Sequence, residues 1–241
     1  MQKKESYRHM LPHFQQPGQA YFVTWNLKDA VPPKALAAYK QKLEMVKNQL
    51  RGLGAANPES LLKDQVQTIR TPHREAISPE TGKLKQSYFL MRRKYIQAYD
   101  DLLDAGKHPS IDLSQPDNRD FIHQSLQYWE GIRLKSHAYA IMPNHVHWVF
   151  ELFRKDQEGN PVYLQDLLQS VKRFSARQIN MTLNRTGALW QKESFDTTIR
   201  DERHLHHAIR YTLNNPVKAG LVSDWKAWPG TWCRDFGCGD L

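Results

Sequence analysis

The alternation of apolar and polar positions predicts three strands. The stretch AYFVTWNL, residues 20–27, is rich in aromatic and β-branched residues and follows the turn residues Gln16-Pro17-Gly18. Two more strands are predicted at residues 134–141 and 145–152, joined by Met142-Pro143-Asn144. A fourth extended segment is predicted at 189–200.

Apolar positions at intervals of three and four residues predict helices between these strands. They cover residues 117–130, a stretch from Leu164 to Phe174, and residues 201–215, which Asp201 caps and which Pro216 and Gly220 end. The order of elements predicts an α+β fold with a ferredoxin-like antiparallel sheet and helices packed on it. The chain then reads as a single domain over residues 1–241 with an aromatic, irregular tail from about 224 to 241.

A helical insertion is predicted at about residues 34–106. Two series of apolar residues in it repeat with alternating three- and four-residue spacing: Leu36, Tyr39, Leu43, Val46, Leu50 and Leu53, and then Tyr88, Met91, Tyr95, Ala98, Leu102 and Ala105. This pattern favours an antiparallel hairpin of two amphipathic helices that pack on each other. The alternative is an arm for dimerisation or for holding DNA, although a monomer is expected.

Composition narrows the class of partner. The net charge of +9 and the pI near 9.5 favour a polyanion, with nucleic acid ahead of a membrane surface. No apolar run has the length of a membrane span or of a signal peptide, so a cytoplasmic protein is expected. The two cysteines, Cys233 and Cys238, are weak evidence for zinc and do not indicate a secreted disulfide framework.

Two histidines lie on one face of the predicted strand at 145–152. Side chains two residues apart on a strand point the same way, so Val146, Trp148, Phe150 and Leu152 form a core face. His145 and His147 therefore lie side by side on the other face, where two imidazoles can share a divalent cation. Many such pairs bind nothing, and the spacing alone leaves both readings open.

The last predicted helix offers further candidates. Leu205, Ile209 and Leu213 should face the core, whereas His207, Tyr211 and Asn215 form a second line. Tyr211 has a phenol that can act as a nucleophile, and Asn215 has a carbonyl oxygen that a hard cation accepts. A surface tyrosine and an ordinary asparagine at a helix end remain the alternatives.

Taken together, these segments resemble the HUH single-tyrosine transposases, and among them the REP-associated tyrosine transposases. The resemblance is carried by YRHMLPHFQQPGQAYFVTWNL, HAYAIMPNHVHWVFEL, LWQKESFDTTIRDERHL and IRYTLNNPVKAGLV, in that order along the chain. It implies the HUH endonuclease fold, with His145, His147 and Asn215 as ligands of Mg²⁺ or Mn²⁺ and Tyr211 as the nucleophile. The implied reaction is cleavage and transfer of single-stranded DNA beside a hairpin, such as a REP-like palindrome, through a 5′-phosphotyrosine.

DNA contacts are expected from basic and amide side chains around these segments. They are Arg8, His9, Lys172, Arg173, Arg177, Gln191, Lys192 and Arg200. Trp25, Trp190 and Trp232 are candidates for stacking on unpaired bases, although core packing is favoured for each. His207, one turn before Tyr211, is a weak candidate for a general base.

Two other functions remain open at this point. One is a DNA hairpin-binding module that has lost efficient cleavage, although the presence of all four active-site residue types argues against it. The other is a metal phosphoesterase that uses a water nucleophile, in which Tyr211 is dispensable. A toxin-like or structural protein would leave the joint occurrence of H-x-H and Y-x-x-x-N unexplained.

Overall fold

The computed structural model describes residues 17–32, 34–52, 79–106 and 109–234, together with the backbone of residues 6–8 and 12–14. The chain divides into two compact units. One unit is formed within residues 1–30 and 104–241, and the other within residues 31–103.

The first unit is built on an antiparallel sheet. Its strands and helices are β1 (Ser6–Arg8), β2 (Pro12–Phe14), β3 (Ala20–Asn26), α3 (Pro116–Gln127), β4 (Leu134–Ile141), β5 (His145–Leu152), α4 (Leu164–Thr182), β6 (Phe195–Thr198), α5 (Glu202–Lys218), a 3₁₀ turn (Trp225–Ala227) and β7 (Thr231–Cys233). Five strands form one sheet in the order β6-β3-β5-β4-β7, and β1 pairs with β2 separately. The predicted α+β fold is confirmed, and β4 and β5 have the bounds that the sequence predicted.

One face of the sheet carries the main hydrophobic core. Val146, Trp148 and Phe150 of β5 are fully buried there, against α3 and α4. Trp25 and Trp190 belong to the same core and meet edge to face, with ring centroids 6.3 Å apart. Core packing, and not base stacking, therefore accounts for these two tryptophans.

The opposite face of the sheet is covered by α5. Val149 of β5 packs there with Ile199 and with Ala208 of α5, while Leu205 and Ile209 of the same helix add to this smaller cluster. Strand β5 is thus buried on both faces, although its sequence reads as an alternating strand. The two histidines lie on the face that α5 covers.

Helix α5 begins as the sequence predicted and ends later. The Asp201 side chain accepts a hydrogen bond of 2.7 Å from the backbone N–H of His204, which is an N-cap. The prediction that Pro216 stops the helix is wrong, because α5 continues through Pro216 to Lys218. Proline removes one backbone donor, but packing against the sheet holds the next residues helical, and Gly220 at φ +65° follows the end.

The second unit contains the predicted helical pair, α1 (Ala37–Gly52) and α2 (Pro79–Ala105). Leu43 and Leu50 of α1 and Tyr88 and Tyr95 of α2 are buried, in agreement with the apolar spacing. Residues 53–78, including Leu53 of the first series, lie outside the described residues.

Other expected elements are shorter than predicted. The segment at 189–200 has strand geometry only in β6, and α3 ends three residues before the predicted position 130. Trp232 lies on β7 and stacks on Tyr139 with ring centroids 5.3 Å apart. The aromatic tail is therefore attached to the sheet by β7, which pairs with β4.

The cap of α5 gives a first prediction. Asp201→Ala removes the acceptor for the His204 N–H and should lower the free energy of unfolding by about 1 kcal/mol. Asp201→Asn keeps an acceptor at the same place and should remain close to the wild type. Urea denaturation followed by circular dichroism compares the three proteins; equal midpoints for the alanine and asparagine variants would contradict the role of this cap.

Candidate active site

Four side chains meet between β5 and α5. His145 and His147 are each 1% exposed, and their Nε2 atoms are 3.0 Å apart. Asn215 of α5 is also 1% exposed, and the Tyr211 ring lies edge-on to His147 with centroids 5.5 Å apart. The structure therefore brings together a strand pair and a helix pair of candidate residues. The nearest members of the two pairs, His147 and Tyr211, are 64 residues apart in sequence.

The His145 ring is oriented by its sequence neighbour. The Asn144 amide donates from Nδ2 to the carbonyl of Gly106 at 3.0 Å, so its Oδ1 faces His145 Nδ1 at 2.6 Å. An amide oxygen only accepts, and His145 Nδ1 must therefore carry the proton. The lone pair of His145 is left on Nε2, the atom that faces His147.

His147 is held by two residues of β3. Thr24 lies directly opposite His147 in the β3–β5 register, and its hydroxyl is 2.7 Å from His147 Nδ1. Phe22, two residues earlier on the same face, stacks on the imidazole with centroids 5.6 Å apart. A second hydrogen bond to the outer ring nitrogen is the support that metal-binding histidines usually have.

The Asn215 side chain completes a donor set that fits a cation. Its Oδ1 and Nδ2 atoms are buried, and neither has a hydrogen-bond partner among the described residues. The amide is nevertheless close enough to both imidazoles to act to raise their pKa values, against the larger effect of burial. A buried amide without a partner is costly, and a bound cation would satisfy its oxygen.

The distance of 3.0 Å between the two Nε2 atoms also fits a shared cation. Two ligands about 2.1 Å from one octahedral cation and at right angles to each other are about 3.0 Å apart. Within the described part of the chain, no group of three or more His, Cys, Asp or Glu side chains is arranged to bind a metal. The candidate set is thus two imidazoles and one amide, without a carboxylate.

Burial keeps both imidazoles neutral. It lowers the pKa of His145 to about 3, and the nearby Lys218 ammonium contributes in the same direction. Burial also lowers the pKa of His147 well below its usual value, with further contributions from His145 and Lys218. At neutral pH both rings are therefore in the uncharged form, which a cation does not repel.

Tyr211 has an aromatic and cationic surrounding. Phe22 meets its ring edge to face at 5.6 Å, and the Lys218 ammonium is 5.9 Å from the ring centroid. Lys218 also forms an ion pair of 2.7 Å with Asp104, a carboxylate that is 11% exposed. His207 is exposed beside this surface. Each step of four residues along an α-helix turns about 40° around its axis. The line from His207 through Tyr211 to Asn215 therefore runs from solvent towards the sheet.

The expected DNA-binding residues fall in different places. Arg173, Gln191 and Lys192 border a groove of about 430 Å³ beside α4, on the core face of the sheet. Lys172 borders it too, but its ammonium donates to the backbone carbonyls of Gln191 and Lys192 at 2.7 and 3.3 Å. Burial lowers the pKa of Lys172 to about 8, and its contacts are those of a brace between α4 and the next segment.

Of the remaining expected contacts, the structure describes the side chains of Arg177 and Arg200. Arg177 is exposed on α4, and Arg200 is exposed immediately before α5. The side chain of Arg8, in β1, and the whole of His9 lie outside the described residues. All of these DNA contacts stay predictions.

Sequence reasoning missed four residues around the site. Thr24, Phe22, Asn144 and Lys218 had no assigned role, although each contacts a histidine or lies against the Tyr211 ring. Asn144 directly precedes the H-x-H pair, and this adjacency was a usable signal. The others depend on strand register and on the length of α5.

The fold and the site define an α+β protein in which a strand histidine pair and a helix tyrosine–asparagine pair face each other. No protein-family model matches the chain. A Haemophilus influenzae protein that carries the name of a REP-associated tyrosine transposase is 30% identical over 96 residues, which are 38% of this chain and 54% of that relative. The chain thus matches about half the length of this curated relative, and the resemblance that the motifs carry is confirmed.

One solved structure can be aligned with most of the chain. It is titled as a REP-associated tyrosine transposase bound to a REP hairpin, and the match covers 96% of this chain and 82% of that chain at 15% identity with a TM-score of 0.42. In the part of the chain that the structure describes, no helix is long and apolar enough to cross a membrane.

The buried imidazoles predict a pH-dependent stability. In the unfolded chain each histidine takes up a proton near pH 6.5, whereas in the folded chain it stays neutral, so stability falls as the pH drops below about 6.5. At pH 5.5 the loss should be about 1.4 kcal/mol for each of the two histidines. Urea denaturation with EDTA at pH 7.5 and 5.5 measures it.

The controls isolate the pair from other titrating groups. His145→Gln/His147→Gln should show a smaller difference between the two pH values than the wild type, because the titrating pair is gone. His206→Gln, at an exposed position of α5, should keep the wild-type difference. An unchanged pH difference in the double variant would contradict neutral burial of the two rings.

Proposed function

We propose that this protein is a transposase of the REP-associated tyrosine class, a metal-dependent single-stranded DNA endonuclease and strand transferase that acts beside hairpins. The observation that carries the proposal is the meeting of Tyr211 with His145, His147 and the unpartnered Asn215 amide. The named relative and the basic charge of the chain support the choice of DNA as substrate.

His145, His147 and Asn215 would hold Mg²⁺ or Mn²⁺. When bound, the cation would polarise a non-bridging oxygen of the scissile phosphate and stabilise the negative charge that develops there. Neutral imidazoles suit this role, since protonated rings would repel the cation. Asn144 and Thr24 fix the two rings so that both Nε2 atoms face one point.

Tyr211 is the nucleophile of the proposed reaction. Its phenol oxygen bonds to phosphorus while the bond from phosphorus to the 3′-oxygen breaks. The phenol proton is lost and the 3′-oxygen gains one, which leaves a 5′-phosphotyrosine and a free 3′-hydroxyl. Another 3′-hydroxyl can reverse the step, because the covalent link conserves the phosphodiester bond.

Packing positions the nucleophile. Phe22 contacts both His147 and Tyr211, so a single side chain of β3 fixes the distance between one cation ligand and the attacking ring. Helix α5 carries Asn215 one turn after Tyr211, and the fixed helical spacing keeps the third ligand and the nucleophile together. Held in this way, the reacting groups need little rearrangement before attack.

The proposal predicts a covalent protein–DNA adduct. The protein is incubated with Mn²⁺ and end-labelled single-stranded hairpin DNA from its own genomic neighbourhood, and the products are separated on a denaturing gel. The wild type should give a slow band that protease removes, and EDTA should abolish it. Tyr211→Phe should reduce that band to background, because the phenol that forms the link is gone.

Tyr128→Phe serves as the matched control, since Tyr128 is 68% exposed and distant from the described site in sequence and fold. It should form the adduct at the wild-type level. Cleavage that persists in Tyr211→Phe without an adduct would indicate a phosphoesterase with a water nucleophile. Hairpin binding without cleavage by any of the proteins would indicate a binding module.

A further inference from the structure

A groove runs along α5 beside the tyrosine. Its volume is about 550 Å³, and its borders include Phe22 of β3 and, on α5, His207, Arg210, Tyr211 and Lys218. Residues 207, 211, 214 and 218 are three or four positions apart and therefore form a stripe along one side of the helix. Arg210 lies next to this stripe and is exposed.

The charge of this groove has one sign. None of the described residues that border it is acidic, while Arg210 and Lys218 are cationic and two histidines accompany them. Lys218 forms an ion pair with the Asp104 carboxylate. The Asp104 side chain is 11% exposed, whereas the Lys218 side chain is 42% exposed. Lys218 thus has one side against an internal carboxylate and the other toward the groove.

We propose that this groove binds the backbone of the single strand that carries the scissile phosphate, with Arg210 and Lys218 as phosphate contacts and Asp104 as an internal competitor for Lys218. The proposal rests on the proposed function and deepens it by naming how the strand is held beside Tyr211. None of these three residues was among the DNA contacts expected from the sequence.

The spacing along α5 suits a strand that passes Tyr211. At 1.5 Å per residue, Arg210 and Lys218 are about 12 Å apart along the helix axis, with Tyr211 between them. Arg210 is almost level with Tyr211, about 1.5 Å away along the axis, and Lys218 is about 10 Å further along. A strand that lies along the helix therefore meets one cation beside the phosphate that Tyr211 attacks and a second cation further along. Two such phosphate contacts hold the strand against the side of α5 that carries Tyr211.

The other groove, beside α4, is a poorer candidate for this strand. It lies on the core face of the sheet, and α5 with Tyr211 lies on the opposite face. In addition, the Lys172 ammonium in that groove is already bonded to two backbone carbonyls. Phosphate bound there would be separated from Tyr211 by the thickness of the sheet.

Binding is tested without cleavage. All variants are made in the full chain with Tyr211→Phe, and the probe is a fluorescein-labelled 15-residue oligothymidylate, whose Kd is measured by anisotropy from 50 to 300 mM NaCl. Removal of one phosphate contact on a single strand should lower the magnitude of the slope of log Kd against log salt by about 0.7. Lys218→Gln and Arg210→Gln should each show this loss together with a higher Kd.

Three further variants separate charge from structure. Lys218→Arg keeps the charge and should restore the slope, whereas Arg203→Gln, an exposed cation of α5 outside the groove, should leave the slope unchanged. Asp104→Asn removes the competitor and should lower Kd. Thermal melting of each variant checks that the fold is kept.

The proposal is overturned if Lys218→Gln and Arg210→Gln have the slope of Arg203→Gln, or if the oligothymidylate does not bind. An Asp104→Asn protein with an unchanged Kd overturns the assignment of Asp104 as competitor. The outcome is independent of the adduct assay. Slope losses without any adduct would support strand binding in the groove and contradict the transferase reaction. An adduct without slope losses would support the transferase reaction and contradict strand binding in the groove.

Discussion

The site depends on the burial of two imidazoles between the sheet and α5. His145 and His147 are on the second face of a strand whose first face builds the core, and α5 removes them from water. Desolvation disfavours their charged forms, so the rings are neutral, and their Nε2 atoms are 3.0 Å apart. Such a pair needs outer hydrogen bonds to hold each ring, and Asn144 and Thr24 provide them.

The same helix that buries the rings carries the other residues of the candidate site. From α5, Asn215 faces the imidazoles, Tyr211 lies at their edge, and Lys218 reaches the tyrosine ring from two turns further on. The helix remains regular through Pro216 because it is packed on the sheet, and not because its sequence favours it. Function and fold are therefore coupled at α5, where the residues that stabilise the packing alternate with those that face the groove.

The parts that sequence predicted are those governed by local periodicity. The period of two in β5 was sufficient to place His145 and His147 on one face, and the spacing of four was sufficient to pair Tyr211 with Asn215. Thr24 could not be found in this way, because its contact with His147 depends on a register between strands 123 residues apart. Lys218 escapes prediction for a different reason. A proline predicts the end of a helix, and in α5 tertiary packing overrides that local preference.

The proposed function requires one divalent cation between the two imidazoles and the Asn215 amide, beside Tyr211. Crystals soaked in Mn²⁺ and measured above and below the manganese absorption edge test it most directly. With a cation at this site, we expect an anomalous peak within bonding distance of His145 Nε2, His147 Nε2 and Asn215 Oδ1. We expect a much weaker peak in Asn215→Ala. A crystal saturated with Mn²⁺ that shows no peak between these three atoms would contradict the account.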